Sequence, residues 1–211
     1  NEVSITKNIY DLKKADVYII AVSDDVIGTL SSQLPFADKL VVHTSGSVSL
    51  HDLDKKNRRG VLYPLQSFKT DAVIDFTEVP ICIEIENKKD LQILKELSEA
   101  LGCNHYRVNS DQRAALHLAA VFVNNFVNQL YRVGHEITES KSVDFNILKP
   151  LIKETARKIE TLSPYMAQTG PAKRGDKKTI KKHLRTLDKE IHKDIYELLT
   201  KSIKLTHGKK L

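Results

Sequence analysis

The sequence predicts an α/β sheet domain followed by an all-α domain, and three observations predict it. Short apolar, β-rich runs alternate with polar or helical spacers over residues 1–109, the pattern of βαβ units around a mostly parallel sheet. From residue 110 on, apolar residues recur at helical spacing. Charge divides at the same place. Residues 1–109 carry 13 Lys and Arg against 16 Asp and Glu, and residues 110–211 carry 20 against 11, so a net charge of −3 is followed by one of +9.

"DVYIIAV" (16–22) is a nearly continuous apolar run, as expected for a strand buried on both faces. "KLVVHTSG" (39–46) repeats that form and ends in small polar residues, and "GVLYPLQSF" (60–68) is a third strand. "VPICIEIE" (79–86) alternates, with Ile81, Ile83 and Ile85 opposed to Cys82, Glu84 and Glu86, which predicts a sheet-edge strand with one face partly exposed. "KKDLQILKELSEALG" (88–102) is an amphipathic helix closed by Gly102, and "CNHYRVN" (103–109) is a short last strand. Ser110 and Asp111 read as a helix N-cap. Helices are then expected over 112–137, 146–162, 177–187 and 189–205, with "HGKKL" as a frayed tail.

A chain of 211 residues that is 41% hydrophobic is long enough for one large or two small domains and too apolar for general disorder. Its apolar runs fall short of the roughly 18 to 20 residues that span a bilayer, and no signal peptide opens it. A soluble, cytoplasmic protein with no membrane partner is expected. Two cysteines, Cys82 and Cys103, exclude a four-cysteine zinc site and a disulfide framework. Both are expected reduced and buried, and no metal site is expected. The basic second half suits an anionic metabolite, an acidic surface or nucleic acid. The bases near residue 180 lack the aromatic side chains on which bases stack, which argues against nucleic acid.

Polar residues gather where strands end. "AVSDD" (21–25) ends the first strand, so Val22, Ser23 and Asp24 either meet a ligand at the carboxyl end of the sheet or cap the next helix. "HTSGS" (43–47) places the hydroxyls of Thr44, Ser45 and Ser47 around Gly46 at a second strand end, though these are also ordinary turn residues. Tyr63, Pro64, Gln66 and Ser67 lie at a third. In the long helix, His117, Asn124 and Asn128 stand at offsets of 0, 7 and 11, within about 20° of one line at 100° per residue. That stripe faces either a cleft or a helix interface. In "TGPAKRGDKKTIKKHL" (169–184), Gly and Pro stop a helix and Asp176 caps the next, which leaves Arg174, with His183 and the neighbouring lysines, as a candidate anion-holding edge.

"DVYIIAVSDDVI", "HTSGSVSLHDL", "GVLYPLQSF", "AALHLAAVFVNNF" and "TGPAKRGDKKTIKKHL", in this order and spacing, resemble bacterial Rossmann-like proteins with a C-terminal helical domain of unknown function. These are relatives of pyrroline-5-carboxylate reductase and of the 6-phosphogluconate and 3-hydroxyisobutyrate dehydrogenases. The resemblance covers essentially the whole chain. It implies a partial dinucleotide-binding domain over 1–109, a helical substrate and dimerisation domain over 110–211, and a site between them. The implied activity is NADP-dependent oxidoreduction of a small anionic carbonyl or imine, and the implied assembly a homodimer through the helices. Ala21, Val22, Ser23 and Asp24 would line the nucleotide, with Thr44, Ser45 and Gly46 near the nicotinamide and Ser47, Arg174 and His183 toward the substrate.

Two departures qualify that implication. The glycine-rich turn that holds a pyrophosphate does not occur before "DVYIIAV", the first glycine being Gly28, so the sequence is expected to begin partway through the domain and to bind NADPH poorly by itself. The wider group carries a catalytic lysine four residues before an asparagine; with that asparagine on Asn128, Asn124 takes the lysine position, and an amide does not exchange a proton near neutral pH. His117 is then the best acid nearby. The alternative is a non-catalytic dinucleotide sensor or assembly protein that kept the fold without the lysine.

Overall fold

The computed structural model describes residues 3–69 and 73–207. The chain forms two compact units, Asn1–Asn125 and Phe126–Leu211. The first is a Rossmann-like α/β sheet. Its strands β1 (Val17–Ile20), β2 (Leu40–His43), β3 (Arg58–Pro64), β4 (Ile81–Ile85) and β5 (His105–Arg107) lie side by side in sequence order. The first three are mutually parallel, β4 runs antiparallel to β3, and β5 is parallel to β4. Helix α1 (Ile27–Gln33) joins β1 to β2, and α2 (Leu91–Ala100) joins β4 to β5.

Strand alternation sorts the side chains onto two faces. Leu40, Val42, Leu62, Ile81 and Ile83 pack with Leu94 of α2 on one. On the other, Ile20 and Val41 pack with Ile27 of α1 and with Leu34 just past its end, and Val61, Tyr63 and Cys82 pack with Leu50. Cys82 and Cys103 are free thiols, both buried.

Strand β4 is not an edge strand, as its alternation predicted, but lies between β3 and β5. Its polar residue is polar for another reason. The register aligns His43, Val61 and Glu84 across three strands, and helix α3 (Ser110–Ala120) lays Arg113 against Glu84. Arg113 is 1% exposed; it donates to the Glu84 carboxylate and to the Val48 carbonyl, while the Ser110 hydroxyl donates to Glu84 at 3.0 Å. This ion pair fastens α3 to the sheet, so the first unit runs beyond the change of character at residue 110. The N-cap of α3 is Asn109 and not Ser110. The Asn109 side chain accepts from the Gln112 amide at 2.8 Å, and Gln112 returns the bond to the Asn109 amide at 2.9 Å, a reciprocal capping box.

The single helix expected over 112–137 is interrupted. Residues Val121–Phe126 are π-helical, and α4 (Val127–Glu139) follows. Each π hydrogen bond spans five residues. A line drawn at 100° per residue therefore does not carry from His117 to Asn124 and Asn128.

The second unit holds α4, α5 (Lys149–Thr161), α6 (Pro164–Ala167), α7 (Pro171–Arg174), α8 (Lys177–Thr186) and α9 (Glu190–His207). The short helices α6 and α7 are additions to the expected set. Each has proline in its first turn, where the missing N–H costs nothing, so Pro171 starts a helix where it was expected to stop one. Gly175, at φ 72°, ends α7 in the left-handed conformation, and Asp176 caps α8 by accepting from the Thr179 amide at 3.0 Å and hydroxyl at 2.7 Å. Glu136 joins α4 to α9, accepting from Lys189 at 2.7 Å with buried His192 at 3.3 Å. Of the tail expected to fray, His207 closes α9 and the remainder lies outside the described residues.

Candidate functional site

Parallel strands β1, β2 and β3 bring their carboxyl ends to one edge of the sheet, where open α/β sheets bind ligands. The loops after β1 and β2 are tied together there. The Ser47 hydroxyl donates to the Asp24 carboxylate, and this bond, before any other cause, holds Asp24 below the usual carboxylate range. The Ser45 hydroxyl accepts from the Ser47 and Val48 amides, each at 3.1 Å. Ser23 precedes a short turn but makes no side-chain cap, so the capping alternative for "AVSDD" fails: Asp24 is engaged with Ser47. Asp24, Ser45 and Ser47 thus satisfy one another, whereas Val22 and Ser23 are exposed and Thr44 half-buried.

His43 supports this loop from below. It is fully buried, and its Nδ1 accepts from the Ser45 amide at 3.1 Å. Burial first, and the Arg113 guanidinium second, push its pKa down from 6.5 to about 4. The imidazole is neutral, as an acceptor at Nδ1 must be.

Above the loop, the Tyr63 hydroxyl lies 3.3 Å from His117 Nδ1. Gly46 makes that approach possible. A Cβ there would stand 2.7 Å from His117 Nδ1 and 2.8 Å from Tyr63 Cζ, closer than real Cβ atoms come. Tyr63 is 9% exposed, and burial raises its pKa. Tyr63 and His117 border a cavity of about 490 Å³, whose wall continues through Gln66, Ser67, Ala120 and Asn124. Among the described residues, no cluster of His, Cys, Asp and Glu suits a metal ion.

Of the residues singled out from the sequence, His117, Gly46, Asp24, Ser45, Ser47 and Asn124 belong to the first unit; Asn124 and His117 share the cavity. Asn128, Arg174 and His183 belong to the second unit and are exposed; His183 Nδ1 is engaged by the Tyr196 hydroxyl at 2.9 Å. Sequence reading placed Tyr63 at a strand end without choosing it, and missed Arg113. Its one signal was a lone arginine on an apolar helix four residues before His117.

A family model described as a domain of unknown function, DUF2520, matches residues 79–203. The chain belongs to this family. A search of curated proteins finds no match to this DUF2520 chain. Among solved structures, it is similar to a protein of Bacteroides fragilis described as a candidate NADP oxidoreductase: 35% identity, TM-score 0.83, covering 94% of this chain and 79% of that one. A Thermotoga maritima protein is 26% identical with a TM-score of 0.75, covering 93% and 80%. A semialdehyde dehydrogenase NAD-binding protein of Cupriavidus necator, in complex with calcium and NAD, is 15% identical with a TM-score of 0.56 over 92% and 79%, a likeness of fold alone.

Proposed function

We propose that this chain serves an NADP-dependent oxidoreduction of a small anionic carbonyl or imine compound, with His117 as the group that donates or orients the proton. The observation that carries the reading is the Tyr63–His117 pair at the wall of a cavity, beside the carboxyl ends of three parallel strands. The 35% identity to the candidate NADP oxidoreductase supports the same chemistry. Kinship with pyrroline-5-carboxylate reductase and the 6-phosphogluconate and 3-hydroxyisobutyrate dehydrogenases is part of the proposal.

The residues present fit one end of a dinucleotide. Ala21, Val22, Ser23 and Thr44 retain exposed or half-buried groups at the strand ends, while Asp24, Ser45 and Gly46 shape the loop beneath. Ala21, Val22, Ser23 and Asp24 are assigned to line the nucleotide, and Thr44, Ser45 and Gly46 to lie near the nicotinamide. When bound, the dinucleotide supplies or takes the hydride. Asn124 and Asn128 are assigned to hydrogen-bond the substrate, and exposed Arg174, with His183, to hold its anionic group, because the Ser47 hydroxyl is committed to Asp24. A homodimer through the helical unit belongs to the same reading. Ile191, Leu198 and Leu205 support it, lying two turns apart along α9 and 60%, 69% and 78% exposed. Light scattering that finds a monomer at micromolar concentration refutes the dimer.

The test uses the full-length protein. NADPH fluorescence and melting temperature are measured, then turnover across a panel of small carbonyls and imines, with His117→Ala beside the native protein. Binding with turnover that His117→Ala abolishes is expected. No NADPH response overturns the proposal, and NADPH binding without turnover, unchanged in His117→Ala, replaces it with the non-catalytic sensor.

A further inference from the structure

A histidine beside a cavity presents either a donor or an acceptor to its ligand, and the nitrogen facing away decides which. At His117 that nitrogen is Nδ1. Two groups close it off: the Tyr63 hydroxyl at 3.3 Å, and the Gly46 backbone, so near that even a methyl group there would meet the ring at 2.7 Å. Nε2 is therefore the nitrogen left for a ligand.

We infer that Tyr63 is a positioning residue that fixes neutral His117 as the Nε2–H tautomer, so that the cavity offers its ligand a hydrogen-bond donor and selects an acceptor, a carbonyl oxygen or a neutral imine nitrogen. A phenol is a far better donor to an imidazole nitrogen than an acceptor from it, and a bond from the Tyr63 O–H to Nδ1 requires a lone pair there, which puts the ring proton on Nε2. Burial keeps Tyr63 in its phenol form. If the ring gains a second proton, the hydroxyl rotates and accepts from Nδ1–H, so Nε2 donates in both charge states. An iminium or ammonium group, which has no lone pair to offer, is disfavoured at this nitrogen. The inference rests on the proposal that His117 faces the substrate, and it narrows the substrate's reacting group to an acceptor.

The test is long-range ¹H–¹⁵N correlation spectroscopy of the full chain labelled with ¹⁵N-histidine, at about pH 8.5, roughly two units above the ordinary histidine pKa. His117→Gln assigns the His117 signals by their loss. The expected result is a bare Nδ1 and a protonated Nε2 in the native protein, with that preference weakened toward the free-histidine mixture in Tyr63→Phe, which keeps the ring and removes the hydroxyl. A protonated Nδ1 in the native protein overturns the inference, as does a Tyr63→Phe spectrum with the native tautomer unchanged. If Tyr63→Phe does not fold, the native Nδ1 signal still tests the inference: one shifted as for a lone pair that accepts a hydrogen bond supports it, and one at the position of an unbonded Nδ1 overturns it. A protein without NADPH turnover leaves the tautomer result standing, whereas the wrong tautomer refutes the inference even in an active enzyme.

Discussion

Replacing Arg113 by methionine removes one guanidinium from the centre of the first unit and keeps most of the side-chain stem. Arg113 is 1% exposed, its partner Glu84 is 15% exposed at the side chain, and the same guanidinium also serves the Val48 carbonyl. The substitution takes the guanidinium donor from the Glu84 carboxylate, which keeps the Ser110 hydroxyl, and from the Val48 carbonyl. Removing one partner of a buried ion pair costs about 3–5 kcal/mol, most of it the desolvation of the charge left behind. At roughly 2–4 °C per kcal/mol for a chain of this size, the expected fall in Tm is about 6–20 °C. Far-UV circular dichroism measures both, the free energy by urea unfolding and the Tm by heating. Replacing both partners, Arg113→Met with Glu84→Leu, should recover most of the loss, because no charge then stays buried. A single variant within about 1 kcal/mol of the native protein would place the pair with exposed salt bridges and refute the reasoning. So would a double variant no better than the single one.

His43 should make stability fall in mild acid. Its folded pKa, about 4, lies below its ordinary 6.5, so the unfolded chain takes the proton first. The contribution is complete above pH 6.5 and is lost as pH falls from there to about 4, roughly 3 kcal/mol in all. Urea midpoints across that range should flatten in His43→Gln; an equal slope in both proteins would be the contrary result. Gly46→Ala should cost about 1–3 kcal/mol by overpacking. It should also move His117 away from Tyr63, read as a lower melting temperature together with shifted His117 ring signals, and unchanged signals would contradict the close approach described above.

The strands were legible because a strand buried in a parallel sheet writes itself as an apolar run, and those around Ile20, Val42 and Val61 did so. The place of β4 was not, since an edge strand and a strand facing a buried ion pair leave the same alternation. In the site, His117 and the "HTSGS" loop were visible as residue types at strand and helix positions. Tyr63 could not be chosen from sequence, because its partner lies 54 residues away. Arg113 could not be chosen either, because Glu84, which it pairs with, lies 29 residues away. The π segment left no mark, because apolar spacing records which face is buried and not which carbonyl each amide reaches.

That segment, Val121–Phe126, has a consequence for comparing relatives. A wide turn is the trace of one residue added to a helix that still closes its hydrogen bonds. A family member that runs as a plain α-helix here should be one residue shorter across this stretch. Alignments that forbid gaps inside helices would then pair Asn124 with its neighbour's counterpart. The position read as the missing lysine depends on counting back from Asn128 across this turn, so the search for the catalytic group in any relative begins with where that single residue is inserted.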